Sequence, residues 1–394
     1  MRAETERRAA CLSGEDQQIQ SMPDCSPVKW HRAHTTWFFE TFVLAAEPDY
    51  APFDPAFGYL FNSYYEAVGA RHPRPLRGLL SRPSAEEIGH YRGEVDRRME
   101  RLLQGSLTAE RAALIELGLN HEQQHQELIL TDIKHAFWSN PLRPAYAPLR
   151  TGKGASDAPP PRWIDIPSGI YEVGHAGSGF AFDNEGPRHR VYLTACRVAG
   201  RSVTCGDYTA FIADGGYRRP EFWLSDGWAR VQEEGWRAPF YWIEDPAGWT
   251  HFTLEGVRPI EPAEPAQHVS YYEASAFAAW AGKRLPTEFE WEVAMGRLGP
   301  PSAPSGRPHP DPSGEPIAQG QVWDWTASAY APYPGFRPPI GAIGEYNGKF
   351  MSGQMVLKGS SWATPAGHSR LTYRNFFPPA ARWQASGFRL AEDT

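Results

Sequence analysis

A pair of histidines four residues apart, within a segment of helical periodicity, constrains the fold of this chain more than any other feature. Residues 114–135 read LIELGLNHEQQHQELILTDIKH, and His121 and His125 recur with apolar positions at steps of three and four. At helical pitch both imidazoles lie on one face. Burial of two imidazoles beside Gln124 is unfavourable unless something binds them, so the pattern favours a metal site over core histidines.

The same segment contains H-E-x-x-H, which in zinc peptidases combines two ligands with a general-base glutamate. The extended motif would continue with glycine at 128 and histidine at 131, whereas this chain has Leu128 and Thr131. The only local base is Glu122, which projects away from the histidine face. A Zn-dependent thiol transferase or hydrolase therefore stays an alternative rather than the main interpretation.

Length and charge bound the classes of function. A chain of 394 residues allows two or three domains. The net charge of −7 comes from 39 basic and 46 acidic residues without a basic tract, so no nucleic acid partner is predicted. We find no signal peptide and no run of 18 apolar residues, and we expect a cytoplasmic protein without membrane contact. The four cysteines lack CxxC spacing and are predicted to be free thiols.

The first half of the chain has helical patterns. Residues 26–45 open with Ser26 and Pro27, which predict a capped helix start, and His34 lies on the inward face of that helix. Ser84 and Glu87 form a predicted capping box for a later helix. Four helices in about 150 residues indicate a bundle, and bundles build metal sites between facing helices.

The second half changes to short strands and turns, interrupted by two helices that start at predicted capping boxes, Ser270 with Glu273 and Thr287 with Glu290. Residues 296–320 are rich in Pro, Gly and Ser and predict a mobile surface loop. The chain therefore reads as an α+β protein. We assign residues 1–150 to a helical bundle with metal ligands, 151–161 to a linker and 162–394 to a second domain.

If His34 joins the histidine pair, the site has three neutral nitrogen ligands, which suit Zn, Fe or Cu. An oxygen-dependent reaction would also need a positioned phenol, and Tyr64 and Tyr65 lie on the predicted loop between the ligand helices. Arginines in that loop either bind an anionic substrate or form solvated surface. Near the C-terminus, aromatic residues beside Asn375 and Arg382 either wall a pocket for a planar or cationic molecule or fill the core.

Motifs across nearly the whole chain carry a resemblance to a known family. The first half contains SMPDCSPVKWHRAHTTWFFETFVL, FNSYYEAVGARHPRPLRGLLSRPS and NHEQQHQELILTDIKH, and the second contains FDNEGPRHRVYL, HVSYYEASAFAAWAGKRLPTEFEWEVA, YNGKF and YRNFFPPAARWQASGFRLA. The chain resembles the ergothioneine-biosynthesis sulfoxide synthases. These join a DinB-like four-helix bundle to a domain similar to the formylglycine-generating enzyme, with a C-type-lectin-like fold.

The resemblance implies a mononuclear non-haem Fe(II) centre held by His34, His121 and His125. It also implies an O2-dependent reaction that bonds the sulfur of L-cysteine to hercynine, Nα-trimethylhistidine, and gives hercynylcysteine sulfoxide. By analogy Gln124 and Asn375 help to hold hercynine. Tyr64 or Tyr65 is then the catalytic phenol, and the sequence does not distinguish the two.

The identity of the sulfur donor rests on one departure from relatives that use γ-glutamylcysteine. Those relatives have an aspartate where this chain has Phe377, so the resemblance favours free L-cysteine, with Arg382 a candidate for its carboxylate and Phe376 and Phe377 beside it. The loop residues Arg71 and Arg74 match the region that grips the donor in some members. Alternatives are γ-glutamylcysteine, histidine as in ovothiol formation, a selenium donor, or a non-catalytic lectin-like binding module.

Two further departures limit the resemblance. Formylglycine-generating enzymes use a cysteine pair late in the domain, and this chain has no cysteine after Cys205, which rules out that activity. Residues 320–324 read GQVWD where many relatives read GNVWE, a calcium-associated stretch, so structural calcium lacks support.

Overall fold

The chain divides into two units, one at each side of residue 146 apart from a short late segment. The computed structural model describes residues 1–149, 157–299, 306–312 and 319–394. The first unit comprises Met1–Tyr146 with Pro338–Tyr346, and the second comprises Ala147–Arg337 with Asn347–Thr394. Most of the predicted linker and parts of the predicted loop at 296–320 lie outside the described residues.

The first unit is helical. Its helices are α1 (Arg2–Ala9), α2 (Val28–Phe42), α3 (Phe57–Phe61), α4 (Ala85–Leu103) and α5 (Ala109–Ser139). Helix α2 is central, because every residue from Val28 to Glu40 is buried and the helix packs on both α4 and α5. A helix buried all round must satisfy its polar side chains within the protein. The hydrogen bonds that do so shape the site described below.

The helix starts agree in part with the sequence. Ser84 caps α4 as predicted, since its hydroxyl accepts from the Glu87 backbone N–H and the Glu87 carboxylate accepts from the Ser84 N–H. The predicted cap of α2 by Ser26 is wrong. That helix begins at Val28, and the Ser26 hydroxyl accepts a hydrogen bond from Arg77 while its backbone N–H donates to Asp132. Contacts distant in sequence thus compete successfully for the capping side chain.

The contact of α5 with α2 is close at Gly118. A Cβ atom at this position would lie 2.7 Å from Cε1 of Phe39 and 2.9 Å from Cε1 of Phe38. Both rings are buried, with 2% and 0% of their surface exposed. A helix interior normally disfavours glycine, so the close approach of α2 accounts for its presence. The approach occurs one turn before His121.

The second unit contains every strand that the described residues form. They are β1 (Trp163–Ile166), β2 (Gly169–Val173), β3 (His189–Leu193), β4 (Cys196–Ala199), β5 (Trp242–Asp245), β6 (Gly248–Thr253), β7 (Gly256–Pro259), β8 (Trp323–Ala329), β9 (Met355–Gly359), β10 (Asn375–Phe377), β11 (Ser386–Phe388) and β12 (Ala391–Asp393). Its helices are α6 (Cys205–Ala213), α7 (Ser225–Glu234), α8 (Tyr271–Trp280) and α9 (Glu288–Gly296). Helices and sheets in one chain confirm the predicted α+β class.

The strands form four small sheets, with orders β1-β4-β12, β10-β9-β8-β11, β2-β3 and β5-β6-β7. All pairs are antiparallel except β8 with β11. The α8 and α9 helices begin at the predicted capping boxes of Ser270 and Thr287. Helix α9 packs on β1 and β4 through Trp291 and Met295, which are buried with Ile166 in an apolar core. Many short strands around such cores explain the density of Gly and Pro in this half.

Asp324, on β8, is a buried carboxylate that accepts hydrogen bonds from neighbouring elements. It is buried, with one oxygen accepting from Arg389 Nε at 2.8 Å and Trp291 Nε1 at 3.0 Å and the other from Ser202 at 3.0 Å. Protein donors therefore occupy both oxygens of the residue that ends the GQVWD stretch.

All four cysteines are free thiols, as predicted, and only Cys11 is exposed. Among the residues that the structure describes, none of the helices combines the length and the apolar character that crossing a membrane requires.

The glycine contact between α5 and α2 predicts a stability difference. Gly118→Ala should lower the free energy of unfolding of the metal-free protein by about 1–3 kcal/mol, because the added methyl group overpacks two buried rings. Gly93→Ala is the matched control, since Gly93 is exposed on α4 with no atom near its hypothetical Cβ, and should raise stability by about 0.5–1 kcal/mol. Urea unfolding measures both. Equal effects of the two substitutions would contradict the close approach.

Candidate metal centre

Three imidazoles converge in the core of the helical unit. His34 comes from α2, and His121 and His125 come from successive turns of α5. Each offers a ring nitrogen, and these atoms lie within 4.8 Å of one another. The ring centroids are 4.6–4.9 Å apart, and 0%, 1% and 9% of the three side chains' surface is exposed. The sequence-predicted face of α5 therefore meets the predicted face of α2.

The ring nitrogens of His34 and His121 present lone pairs to this space. His34 donates from Nδ1 to the Phe61 carbonyl oxygen at 2.6 Å, which leaves Nε2 as an acceptor. Within the described residues, neither that Nε2 nor either nitrogen of His121 has a hydrogen-bond partner. Burial lowers the pKa of His34, and it lowers the pKa of His121 to about 3. Both rings are thus neutral, the state in which imidazole binds metals.

A hydrogen-bonded relay orients the third imidazole. Asp132 accepts from His31 Nε2 at 3.0 Å, and His31 Nδ1 lies 2.7 Å from Nδ1 of His125. A carboxylate only accepts, so a neutral His31 must donate from Nε2 and accept at Nδ1. His125 then donates from Nδ1 and keeps its Nε2 lone pair. A metal-binding histidine is typically oriented by a carboxylate in this manner, here through an intervening ring.

Glu122, between the two α5 histidines, faces away from them. Its carboxylate is fully buried and accepts hydrogen bonds from Arg2 at 2.7 Å, Arg92 at 2.6 Å and Thr5 at 2.6 Å. Burial alone would raise the pKa of Glu122, but Arg2 and Arg92 outweigh it and hold the pKa at about 2. A carboxylate paired in this way is a poor general base. The geometry thus removes the local base that a zinc hydrolase would need.

A segment from late in the sequence brings a phenol to the histidines. Residues 338–346 belong to the helical unit, where the Glu345 carboxylate accepts from the backbone N–H groups of Glu66 and Ala67 at 3.1 and 2.9 Å. The Tyr346 ring lies 5.6 Å from the His121 ring, and its hydroxyl donates to Gln124 Oε1. Sequence reasoning assigned no role to Tyr346, although it begins the YNGKF motif that contributed to the resemblance.

The two predicted tyrosines have different surroundings. Tyr65 is fully buried against Trp37, its hydroxyl has no hydrogen-bond partner in the described part of the chain, and burial raises its pKa. Tyr64 is partly exposed, and its ring centroid lies 6.0 Å from that of Tyr346. The catalytic role assigned to one of them stays a prediction.

The loop arginines divide into exposed and buried members. Arg71 is exposed and pairs with Glu66 at 2.9 Å, and the exposed Arg74 donates to the Asp24 carbonyl oxygen. Arg77 is 2% exposed and lies 3.4 Å over the ring of Trp30, which in turn stacks on His34. Burial lowers the pKa of Arg77 to about 8. Arg77 could not be distinguished from its neighbours by pattern, because burial within a loop has no periodic signal.

The other predicted substrate contacts lie in the second unit. Asn375 begins β10, where its side-chain oxygen accepts from the Phe376 N–H at 2.9 Å. The Phe376 ring stacks on Tyr330 with centroids 4.1 Å apart, and Phe377 packs edge-on against Trp383. Both phenylalanine rings therefore pack against other aromatic side chains of the second unit.

Arg382, the predicted partner of the donor carboxylate, already has a protein partner. It donates to Glu273 Oε1 at 2.7 Å, and its guanidinium lies 4.1 Å over the ring of Trp236. Its role in substrate binding stays a prediction, as do those of Asn375 and the two phenylalanines.

Comparisons with known proteins agree with this organisation. The model of the sulfatase-modifying factor enzyme 1-like domain matches residues 151–301 and 302–394, and that of the DinB superfamily matches residues 1–129. A hercynine oxygenase from Mycolicibacterium thermoresistibile is 33% identical over 94% of this chain and 88% of the relative. One from Mycobacterium tuberculosis is 31% identical over 94% and 92%. A formylglycine-generating enzyme from Streptomyces coelicolor is 28% identical over 58% and 88%.

These matches confirm the predicted architecture, in which a DinB-like helical bundle precedes a domain of the formylglycine-generating-enzyme type. They also confirm the resemblance drawn from the sequence motifs, because the two hercynine oxygenases match over both halves of the chain. The chain belongs to the hercynine oxygenase family.

Proposed function

We propose that this protein is an Fe(II)- and O2-dependent sulfoxide synthase that joins hercynine and L-cysteine into hercynylcysteine sulfoxide, a step of ergothioneine biosynthesis. The observation that carries the proposal is the convergence of three buried neutral imidazoles, from His34, His121 and His125. The names of the relatives supply the acceptor and the oxygenase class. The choice of free L-cysteine follows from Phe377, where users of γ-glutamylcysteine have aspartate.

The three imidazoles fit an iron centre that keeps positions open for substrates. As neutral nitrogen ligands they would bind an ion from one side. The lone pairs of His34 and His121 meet no hydrogen-bond donor among the described residues, so they are available to an ion. A ferrous ion held there would supply the electrons that activate O2. Zinc hydrolysis is disfavoured, because Glu122 is engaged by two arginines and cannot activate a bound water.

The overall reaction balances without a further reductant. The hercynine ring loses a C–H hydrogen and cysteine loses its S–H hydrogen as the C–S bond forms. One oxygen atom of O2 becomes the sulfoxide oxygen, and the other leaves as water with the two hydrogens. Bond formation and sulfur oxidation release two electrons each, which matches the four that O2 accepts.

Tyr346 is the phenol that the geometry supports best. Its ring contacts His121, and its hydroxyl is held by Gln124, the residue that the family resemblance assigns to hercynine. We assign to Tyr346 Oη the delivery of a proton to the reacting oxygen, with Gln124 orienting both phenol and acceptor. Phenol-based proton transfer typically contributes a factor of about 10²–10⁴ in rate.

A buried cation is available for the donor carboxylate. Arg77 has no carboxylate within ion-pair distance among the described residues, although it is almost fully buried near Trp30 and His34. A buried charge without a counterion is unfavourable, so an anionic substrate would relieve it. We therefore add Arg77 to the predicted donor contacts, Arg71, Arg74 and Arg382.

The reaction itself is the first test. Protein loaded anaerobically with Fe(II), then mixed with hercynine, L-cysteine and air, should form a product with the mass of the sulfoxide and consume one O2 per product. Because the three imidazoles hold the iron, His121→Gln should lose iron binding and turnover. The matched control is His90→Gln, at an exposed position of α4, which should retain both.

Product formation by iron-loaded His121→Gln protein at the wild-type rate would refute the ligand assignment. A thioether product without oxygen, or turnover with zinc and no O2, would refute the reaction class. Replacement of L-cysteine by γ-glutamylcysteine should lower the rate, and a faster reaction would reverse the choice of donor.

Removal of the Tyr346 hydroxyl tests the proton donor. Tyr346→Phe should lower the rate of sulfoxide formation by about 10²–10⁴-fold while iron affinity stays unchanged, because the phenol is no ligand. Tyr59→Phe, at an exposed residue of α3, is the control and should be silent. Tyr64→Phe and Tyr65→Phe, assayed in parallel, test the sequence prediction. An unimpaired Tyr346→Phe enzyme would exclude the assigned role.

The relay through His31 predicts an effect on metal affinity. Asp132→Asn should weaken Fe(II) binding by about 10–100-fold. The carboxylate holds the proton of His31 on Nε2, and without it the lone pair of His125 is no longer directed at the ion. Competition with a chromophoric chelator measures this affinity without turnover. Asp54→Asn, at an exposed residue, is the control. Equal affinities for both variants would mean that the relay has only a packing role.

A further inference from the structure

A second cluster of potential metal ligands lies in the second unit. His251 is on β6, Glu264 follows β7, and His309 belongs to the described segment 306–312. The three side chains expose 4%, 0% and 1% of their surface. Each offers one ligand atom, and these atoms lie within 4.8 Å of one another. Residues 13 and 45 positions apart in sequence form no motif, so the sequence did not reveal this cluster.

The separations within the cluster match those around a metal ion. Glu264 Oε2 lies 3.7 Å from His251 Nε2 and 3.3 Å from His309 Nε2, and the two rings are nearly perpendicular at 83°. Zinc binds histidine and carboxylate ligands at about 2.0–2.2 Å, which places neighbouring ligands of a tetrahedral site roughly 3.3–3.6 Å apart.

Glu264 supports this interpretation through its two oxygens. Oε1 pairs with Arg258, whereas Oε2 is buried and accepts no hydrogen bond from any described residue. The contact to His309 is therefore not a well-formed hydrogen bond despite its length. A carboxylate that is anchored at one oxygen and presents the other to two imidazoles resembles a metal ligand held by a supporting cation.

We propose that His251, Glu264 and His309 form a second metal site, which binds a divalent transition metal ion, with zinc the preferred occupant. Two imidazoles and one carboxylate suit zinc, and their burial suits a structural rather than a catalytic ion. The ion would tie β6, the turn after β7 and the 306–312 segment together. This proposal is independent of the iron centre and of the reaction.

A proton is the competing occupant of the cluster. Gln267 accepts from Trp362 Nε1 at 2.9 Å, and its side-chain nitrogen lies 3.3 Å from His309 Nδ1. In that arrangement a neutral His309 carries its proton on Nε2, toward Glu264. Metal binding at Nε2 requires the proton on Nδ1, so it is coupled to a rotation of the Gln267 amide that presents its oxygen.

The test counts metal ions in the chelator-stripped full chain. Anaerobic titration with Co²⁺, followed by its visible absorption, should give two equivalents in the wild type and one in each of His309→Gln, Glu264→Gln and His121→Gln. His175→Gln, a partly exposed histidine of the same unit, is the matched control and should retain two. Zn²⁺ should raise the Tm of His121→Gln, in which only the second site remains, and should leave the Tm of His121→Gln/His309→Gln unchanged.

Two results would overturn the proposal. One is the same two equivalents, with the same spectrum, in wild type, His309→Gln and Glu264→Gln. The other is a single equivalent in the wild type that only His121→Gln removes, which would mean that the cluster holds protons. If the variants fail to fold by circular dichroism, the zinc X-ray absorption spectrum of His121→Gln protein decides, since the proposal requires two imidazoles and a carboxylate around zinc.

Discussion

Three neutral imidazoles buried side by side are the constraint on which the helical unit depends. A buried polar atom without a hydrogen bond costs about 1–3 kcal/mol, and His34 and His121 together leave three such nitrogens among the described residues. The free energy of unfolding of a domain is only about 5–15 kcal/mol, so the cost of these nitrogens is a large fraction of it. An ion that accepts the lone pairs would remove most of that cost, which explains how the cluster can exist.

The surroundings of the cluster keep carboxylates out of direct contact with the three imidazoles. Glu122 adjoins a predicted ligand in sequence, yet α5 turns its carboxylate toward Arg2 and Arg92, where it is neutralised. Asp132 acts through His31 and not directly. The histidines thus stay neutral donors, and the negative charge nearby is used for orientation. Close packing at Gly118 brings together the two helices that carry the three histidines.

Much of the histidine cluster could be predicted from local patterns. His121 and His125 were recognisable because four residues make about one helical turn, and His34 because it lies on the inward face of a periodic helix. The capping boxes at Ser84, Ser270 and Thr287 were predicted for the same reason, since their interactions span three residues.

Interactions distant in sequence could not be predicted in this way. Tyr346 reaches the histidines from more than 200 positions away, and only the docking of Glu345 on the loop backbone shows why. Ser26 does not cap α2 for the same reason, because it makes hydrogen bonds with Arg77 and Asp132 instead. Arg77 and the cluster around Glu264 are notable because they are buried. Burial of loop residues and of isolated residues leaves no pattern in the sequence. In the second unit, the candidate substrate contacts came from the family resemblance and not from the hydrophobic periodicity of the sequence.

The coordination of iron in the helical unit tests the central claim most directly. In a His309→Gln background, which leaves only the first cluster available, the iron X-ray absorption spectrum of protein loaded with one equivalent of Fe(II) should show three imidazole ligands. Substitution of His34 by alanine should reduce that number to two. A spectrum with fewer than three imidazoles in the parent protein, or one that the His34 substitution leaves unchanged, would contradict the account.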